Sequence, residues 1–194
     1  MRGRAWRRTL SSMAFGKAAA VAAVLITAAA PAAGAEPAHG EQAFTVSGTF
    51  TAPEGITSVF VAVWGAGGGG GEANPGGGGG AAWCSVAVTP AAEYTVTVGV
   101  GGPAGEPGSD SSVGVAGSPA LVVAHGGAAG TAEAPGRGGA ADCGTSPGLA
   151  APGSDGTADR PGEAGVIPSA PPGGIGAGGA AGMPGAPGYA YFWW

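Results

Sequence analysis

Glycine falls at 173, 176, 179, 182, 185 and 188, every third residue without a miss. A shorter run repeats the spacing at 99, 102, 105 and 108. Three residues per turn is the period of the polyproline II helix, which makes no hydrogen bonds within itself. Glycine at each third place leaves one edge of such a helix without side chains. A second backbone can approach that edge and pair with the N–H and C=O groups, which must find partners wherever they are buried. The spacing therefore predicts helices of this type packed against one another, with strands to frame them.

The chain starts differently. Five of its seven basic residues (Arg2, Arg4, Arg7, Arg8 and Lys17) lie in the first seventeen positions. An apolar, alanine-rich run over 18–33 follows and ends in Ala33-Gly34-Ala35. A basic head, a short apolar middle and a small-residue exit form a secretory signal peptide. The run is shorter than a bilayer span of about 20 residues and Pro31 interrupts it. Residues 1–35 are thus read as a signal peptide, with Arg7-Arg8 a loose match to twin-arginine export, and 36–43 as a flexible lead-in. No insertion into the membrane is expected after cleavage.

The remaining 159 residues suffice for one domain. They keep two basic residues, Arg137 and Arg160, against twelve acids, a formal charge of −10. That excludes nucleic acid as a partner, since phosphate binding requires a basic surface. Two cysteines, Cys84 and Cys143, are expected to pair in an oxidising compartment. A bridge 59 residues apart contributes about 4 kcal/mol in the chain-entropy model.

Strand patterning covers 44–124. Phe44, Val46, Gly48 and Phe50 alternate with polar residues, as in a half-buried strand. Over 56–64 both faces are apolar, with Val59, Val61 and Val63 on one and Phe60, Ala62 and Trp64 on the other. Further strands are expected over 83–89, 93–100, 111–115 and 120–124, and a last one over 189–194 (YAYFWW). Proline and glycine are too frequent for helices. Two glycine-rich pieces, 65–80 and 126–188, interrupt the strands. Their composition also fits disorder, and the glycine spacing within 126–172 is ragged. The aromatic terminus argues that the chain returns to the sheet and closes both pieces into loops. The fold class is all-β, a small β-sandwich with a polyproline II bundle inserted between strands.

Phe50-Thr-Ala-Pro53-Glu-Gly55 leads into Val63-Trp64-Gly65-Ala66-Gly67-Gly68-Gly69. Val86-Ala-Val88-Thr-Pro90 precedes Tyr94-Thr-Val96-Thr-Val98-Gly99. With Val122-Val-Ala124-His-Gly126-Gly127 and the closing Pro187-Gly188-Tyr189, this pattern resembles the glycine-rich domain of phage tail-fibre adhesin tips and secreted bacterial proteins. The resemblance runs from Phe44 to the end. It implies a β-sandwich framing a stack of glycine-rich helices whose end loops contact receptors. A similar region in an animal receptor kinase ectodomain means that the fold does not fix the partner. This chain departs from the pattern at Ala91, where the family has glycine.

Chemistry is sparse. Gly144-Thr-Ser146-Pro-Gly148 matches a nucleophile elbow as a string, but Pro147 has no N–H for an oxyanion hole. His125 follows a strand with no carboxylate partner evident, and His39 sits in the lead-in. Asp142, Asp155, Asp159 and Glu163 are acids without the order of a calcium loop. No cofactor or metal pattern is present, and the chain reads as non-enzymatic. The binding candidates are Trp193 and Trp194, which stack on sugar rings or a partner surface if they face outward, and the loop residues Glu72, Asn74 and Arg137. The expected role is a secreted adhesin-like or envelope-matrix module whose partner is a cell-surface glycan or protein. The alternatives are an exported enzyme with an unrecognised site and a mostly disordered extracellular chain.

Overall fold

The computed structural model describes residues 39–194. The expected signal peptide, 1–35, and the first residues of the lead-in lie outside the described residues. Ten strands form two antiparallel five-stranded sheets. In chain order they are β1 (Glu41–Phe44), β2 (Gly48–Thr51), β3 (Ser58–Trp64), β4 (Ala81–Ala87) and β5 (Glu93–Thr97), then β6 (Ser111–Gly114), β7 (Ala120–Ala124), β8 (Ala141–Asp142), β9 (Gly148–Ala151) and β10 (Tyr189–Trp193). The first sheet runs β1-β10-β3-β4-β9 and the second β2-β5-β6-β7-β8. No helix forms among the described residues.

The core lies between the sheets. Val59, Val61 and Val63 of β3 meet Val96, Val113 and Val122 of the second sheet, all fully buried. Phe192 of β10 stacks on Phe50 of β2 at 4.3 Å. The terminal YAYFWW is thus an interior strand, flanked by β1 and β3. Alternation sends Phe192 inward and Tyr191 and Trp193 outward.

Three details differ from the sequence reading. The alternation over 44–51 is not one strand: β1 belongs to the first sheet and β2 to the second, and the chain crosses between them with Val46 73% exposed. The first strand starts at Glu41, inside the expected lead-in, because its backbone covers the edge of β10. Strands β8 and β9 carry no strand pattern in the sequence. They divide the long glycine piece, and the ragged spacing of 126–172 becomes regular once they are removed.

The two glycine pieces, together with the 99–110 stretch between β5 and β6, form ten short rods, arranged as five hairpins that leave the strand ends. The first hairpin, 65–71 and 76–80, is the centre. Gly65 and Gly68 donate to Gly80 and Gly77, Ala66 and Gly69 to Ser109 and Glu106, and Gly67 and Gly70 to Ala186 and Met183. Donor direction thus repeats every third residue, with no bond inside the rod, which defines the polyproline II type. The carbonyls of Ala66, Gly67 and Gly68 accept from Gly127, Gly102 and Gly179 of three further rods. Six neighbours surround this rod. The same holds for 76–80, which pairs with 65–71, 125–130, 135–140, 152–156, 161–165 and 176–181.

A rod with six neighbours has no free edge, so it is nearly pure glycine. A Cβ on Gly78 would lie 2.0 Å from the Glu163 carbonyl oxygen, and one on Gly70 1.9 Å from that of Ala180. Rim rods face the bundle on one side and need glycine only there, as in Pro152-Gly153-Ser-Asp-Gly156 and Pro161-Gly162-Glu-Ala-Gly165. The unbroken period at 99–108 and 173–188 has a mixed origin. Gly105 and Gly182 hold the third place of tight turns with φ of 78° and 71°, and Gly173 faces open space. Those turns are of type II, closed by Glu106 N–H to Pro103 O and Met183 N–H to Ala180 O. Each returning rod opens on proline (Pro75, Pro107, Pro135, Pro161, Pro184), whose fixed φ suits this helix and whose missing N–H leaves no donor unpaired.

Ala91 sits at φ 61°, which explains the family's glycine at that place. Left-handed backbone costs a residue with a Cβ about 1–2 kcal/mol.

Three outcomes follow from this geometry. Gly78→Ala should cost at least about 3 kcal/mol, the upper range for overpacking, lowering Tm by roughly 6–12 °C for a domain this size. Gly173→Ala, with nothing within 4 Å, should leave Tm unchanged within error. Ala91→Gly should raise Tm by roughly 1–4 °C, since relief of the left-handed strain outweighs the extra glycine entropy. Calorimetric melts of the three variants check all three.

Candidate functional site

Two surfaces present chemistry. The first is the outer face of the first sheet. Residues 60, 62 and 64 of β3 point away from the core, and register brings their neighbours alongside: Phe60 lies opposite Trp193 and Ser85, Ala62 opposite Tyr191 and Trp83, and Trp64 opposite Tyr189 and Ala81. At the inner end Trp64 and Tyr189 are covered by Ile167 and Ile175 of the segment leading to the last hairpin. At the outer end the rings are only partly buried. Phe60, 38% exposed, clusters with Trp83 and Trp193: its centroid lies 5.4 and 5.3 Å from theirs with planes within 18° and 13°, and theirs lie 6.2 Å apart at 28°. Tyr191 flanks Trp193 at 5.7 Å.

A cavity of about 400 Å³ opens beside this row, bounded by Glu41, Trp83, Trp193, Tyr191, Pro168 and Ser169. A second, of about 460 Å³, shares Ser169 and Tyr191 and extends along Pro171 and Pro172. Glu41 enters because β1 pairs with β10, which puts it opposite Trp193. The Tyr191 hydroxyl donates to the Glu41 carboxylate. That bond, then partial burial and the carboxylate's charge, raise the Tyr191 phenol above the ordinary tyrosine range. Burial, then Glu41, raise Tyr189 in the same direction.

The second surface is the far end of the bundle, where five turns gather around 71–74. Gly182 and Gly105 donate to the carbonyls of Gly71 and Gly70, and the Asn74 amide donates to Thr131 O at 2.9 Å and Ala132 O at 3.2 Å. Thr131 and Thr157 brace their own turns through their hydroxyls. The exposed charges here are Glu72, Glu106, Glu133 and Asp159, against Arg160.

The sequence candidates therefore separate. Trp193 lies on the aromatic face. Trp194 packs on the core beside Phe50 at 5.7 Å, with its backbone paired to Gly40. Glu72 is on a turn. Asn74 spends its amide as a tether between turns. Arg137 is exposed on the flank of a rim rod, away from the turns. Cys84 and Cys143 form a disulfide with Cα atoms 5.7 Å apart. It joins β4 of one sheet to the end of β8 in the other, and it fits an oxidising compartment. His125 has a partner that spacing along the chain does not reveal. Its Nδ1 lies 2.9 Å from Asp110, whose other oxygen accepts from Gly126 N–H, a clip between two rods. Asp142 and Asp155 cap the amides of Gly144 and Gly138 in separate loops. Ser146 closes a turn onto Cys143 O between β8 and β9.

A family model for a glycine-rich domain matches residues 44–193. The chain belongs to that family. No curated protein matches it. Glu41 lies ahead of the matched span, and Phe60 reads from its two-sided apolar strand as covered. Only register joins them to Trp193 and Trp83.

The Tyr191–Glu41 bond gives a sign for pH dependence. A raised phenol pKa means the folded state favours the neutral form. That contribution is whole below the unfolded tyrosine pKa of about 10 and is lost as pH rises through the folded value. Glu41→Gln should move one tyrosine's ionisation down toward the ordinary range while the Tyr189 shift from burial persists. Phenolate absorbance titration reads both.

Proposed function

We propose that the protein is a secreted, non-enzymatic binding module of adhesin-like type, in which the glycine bundle is a rigid stalk and the turns at its end are the contact surface. The observation that carries this reading is the backbone lattice around 65–71 and 76–80, which fixes five turns relative to one another. Turn residues outside the lattice are free of the demand for glycine, so their side chains are open to specialise. The resemblance to phage tail-fibre tips supports the same division of labour. The basic head and apolar run of 1–35 support export, as does the disulfide. The nearest pair to catalytic machinery, His125 with Asp110, is committed to a rod amide and meets no nucleophile in its hydrogen bonds. With four acids against one arginine, the turns suit a neutral or basic partner surface.

The test is binding of the fluorescently labelled protein to intact cells and envelope preparations. The variant Glu72→Arg/Glu133→Arg/Asp159→Arg should weaken binding at least about tenfold, or 1.4 kcal/mol, without lowering Tm, since none of the three side chains braces a turn. Equal binding of variant and parent would remove the turns as the contact surface.

A further inference from the structure

We propose that the groove on the outer face of the first sheet binds neutral β-linked hexose chains, such as β-glucan or chitin oligosaccharides. This goes beyond the stalk-and-turn reading, because the groove belongs to the sandwich and uses none of the turn residues.

Three observations carry the assignment. The first is shape. The two cavities, about 400 and 460 Å³, are neighbours that share Ser169 and Tyr191 as walls, and together they make the groove. Each lies in the usual range for a ligand site of about 300–1,000 Å³, so the groove suits a chain of rings rather than a single small molecule. The second is the mixture of surfaces. Trp83 and Trp193 supply broad apolar rings whose centroids lie 6.2 Å apart with planes at 28°, both packed beside Phe60. Beside them stand the Glu41 carboxylate and the hydroxyls of Tyr191 and Ser169. A β-linked hexose has that same division, apolar C–H faces edged by equatorial hydroxyls. A carboxylate offers about four acceptor sites, and Tyr191 takes one.

The third is charge. Among the described residues no lysine or arginine lines either cavity, and Glu41 is the one acid. Anionic polysaccharides are therefore disfavoured. A lipid chain or apolar helix would bury the Glu41 carboxylate with the Tyr191 hydroxyl as its one partner and leave its other acceptor sites unpaired, which costs several kcal/mol. A proline-rich peptide would need the aromatic slot that the chain's own Pro168, Pro171 and Pro172 already wall. Glycosidic cleavage uses a pair of carboxylates, so the groove binds without cutting.

The experiment is titration of the purified protein with cellohexaose and with chitohexaose, followed by calorimetry and tryptophan fluorescence. At least one of them should bind and change the fluorescence. Trp193→Ala should weaken that binding about tenfold, from loss of one stacked ring. Ser169→Trp, which fills the groove from the covering segment without altering the sheet, should abolish it and stands in if Trp193→Ala does not fold. The triple turn variant should bind the oligosaccharides as the parent does. The assignment is overturned if neither oligosaccharide binds, if Ser169→Trp binds like the parent, or if the triple turn variant loses binding. It is overturned equally if polygalacturonate binds better, if decaproline displaces the sugar, or if Trp193→Ala converts a dimer to a monomer.

Discussion

The constraint on which everything else depends is the distance between backbones in the bundle. A methyl group placed on Gly69 would sit 1.8 Å from the Pro103 carbonyl oxygen. That proximity is what lets each central amide reach a carbonyl on a different rod, turning by one third at each residue. Side chains cannot mediate such packing. Specificity of assembly rests instead on which amides face which carbonyls, a register set by where each hairpin leaves the sandwich.

The energetics explain why the rods need a frame. Ordering one residue's backbone costs about 1–2 kcal/mol, a glycine about 0.5–1 kcal/mol more than an alanine, and a buried hydrogen bond contributes a net 0.5–1.5 kcal/mol, roughly. Per residue the entropy outweighs the bond. A glycine hairpin alone would stay disordered, as the composition of 126–172 implies. The sandwich changes the balance by pinning both ends of every hairpin, so that the rods assemble as closed loops at a small added entropy. Here the terminal strand is decisive. Without β10 between β1 and β3, the last hairpin has one free end and the outer rows lose their partners. The disulfide does the same for the 125–140 hairpin, tying the end of β8 to β4.

This dependence determines what is legible in the chain. Alternation and aromatic content expose most of the strands, including the return of YAYFWW to the sheet. The period of three points to the right helix, yet at 173–188 it mixes rod glycines with Gly182, a turn glycine, and Gly173, which touches nothing. The more informative signal is the plainer one. Runs of consecutive glycine at 67–71 and 76–80 mark rods enclosed on all sides, and Pro-Gly-x-x-Gly marks rods at the rim. Strands β8 and β9 escape a reading by pattern because Ala141–Asp142 and Gly148–Ala151 are short and carry no alternation. The His125–Asp110 clip and the Glu41–Trp193 neighbourhood are products of register, invisible to spacing along the chain.

The same logic separates two kinds of surface. Along the rods, an inward position is closed to every residue but glycine, and change there is punished by backbone clash. At the turns and on the outer face of the first sheet, no carbonyl stands within reach of a side chain in that way. Phe60, Trp83 and Trp193 therefore have no part in the lattice and lie outside the core between the sheets, with Trp83 and Trp193 half-buried against the smaller cluster around Trp64. Leaving three large rings side by side and partly in water forgoes apolar burial worth roughly 1.5–3 kcal/mol for each side chain covered. The covering segment stops short of them: Ile167 seals Trp64, while Pro168 and Ser169 edge the groove and leave it open. A partly exposed ring cluster beside a carboxylate is a poor way to stabilise a sandwich, and its arrangement is better accounted for by what it can hold.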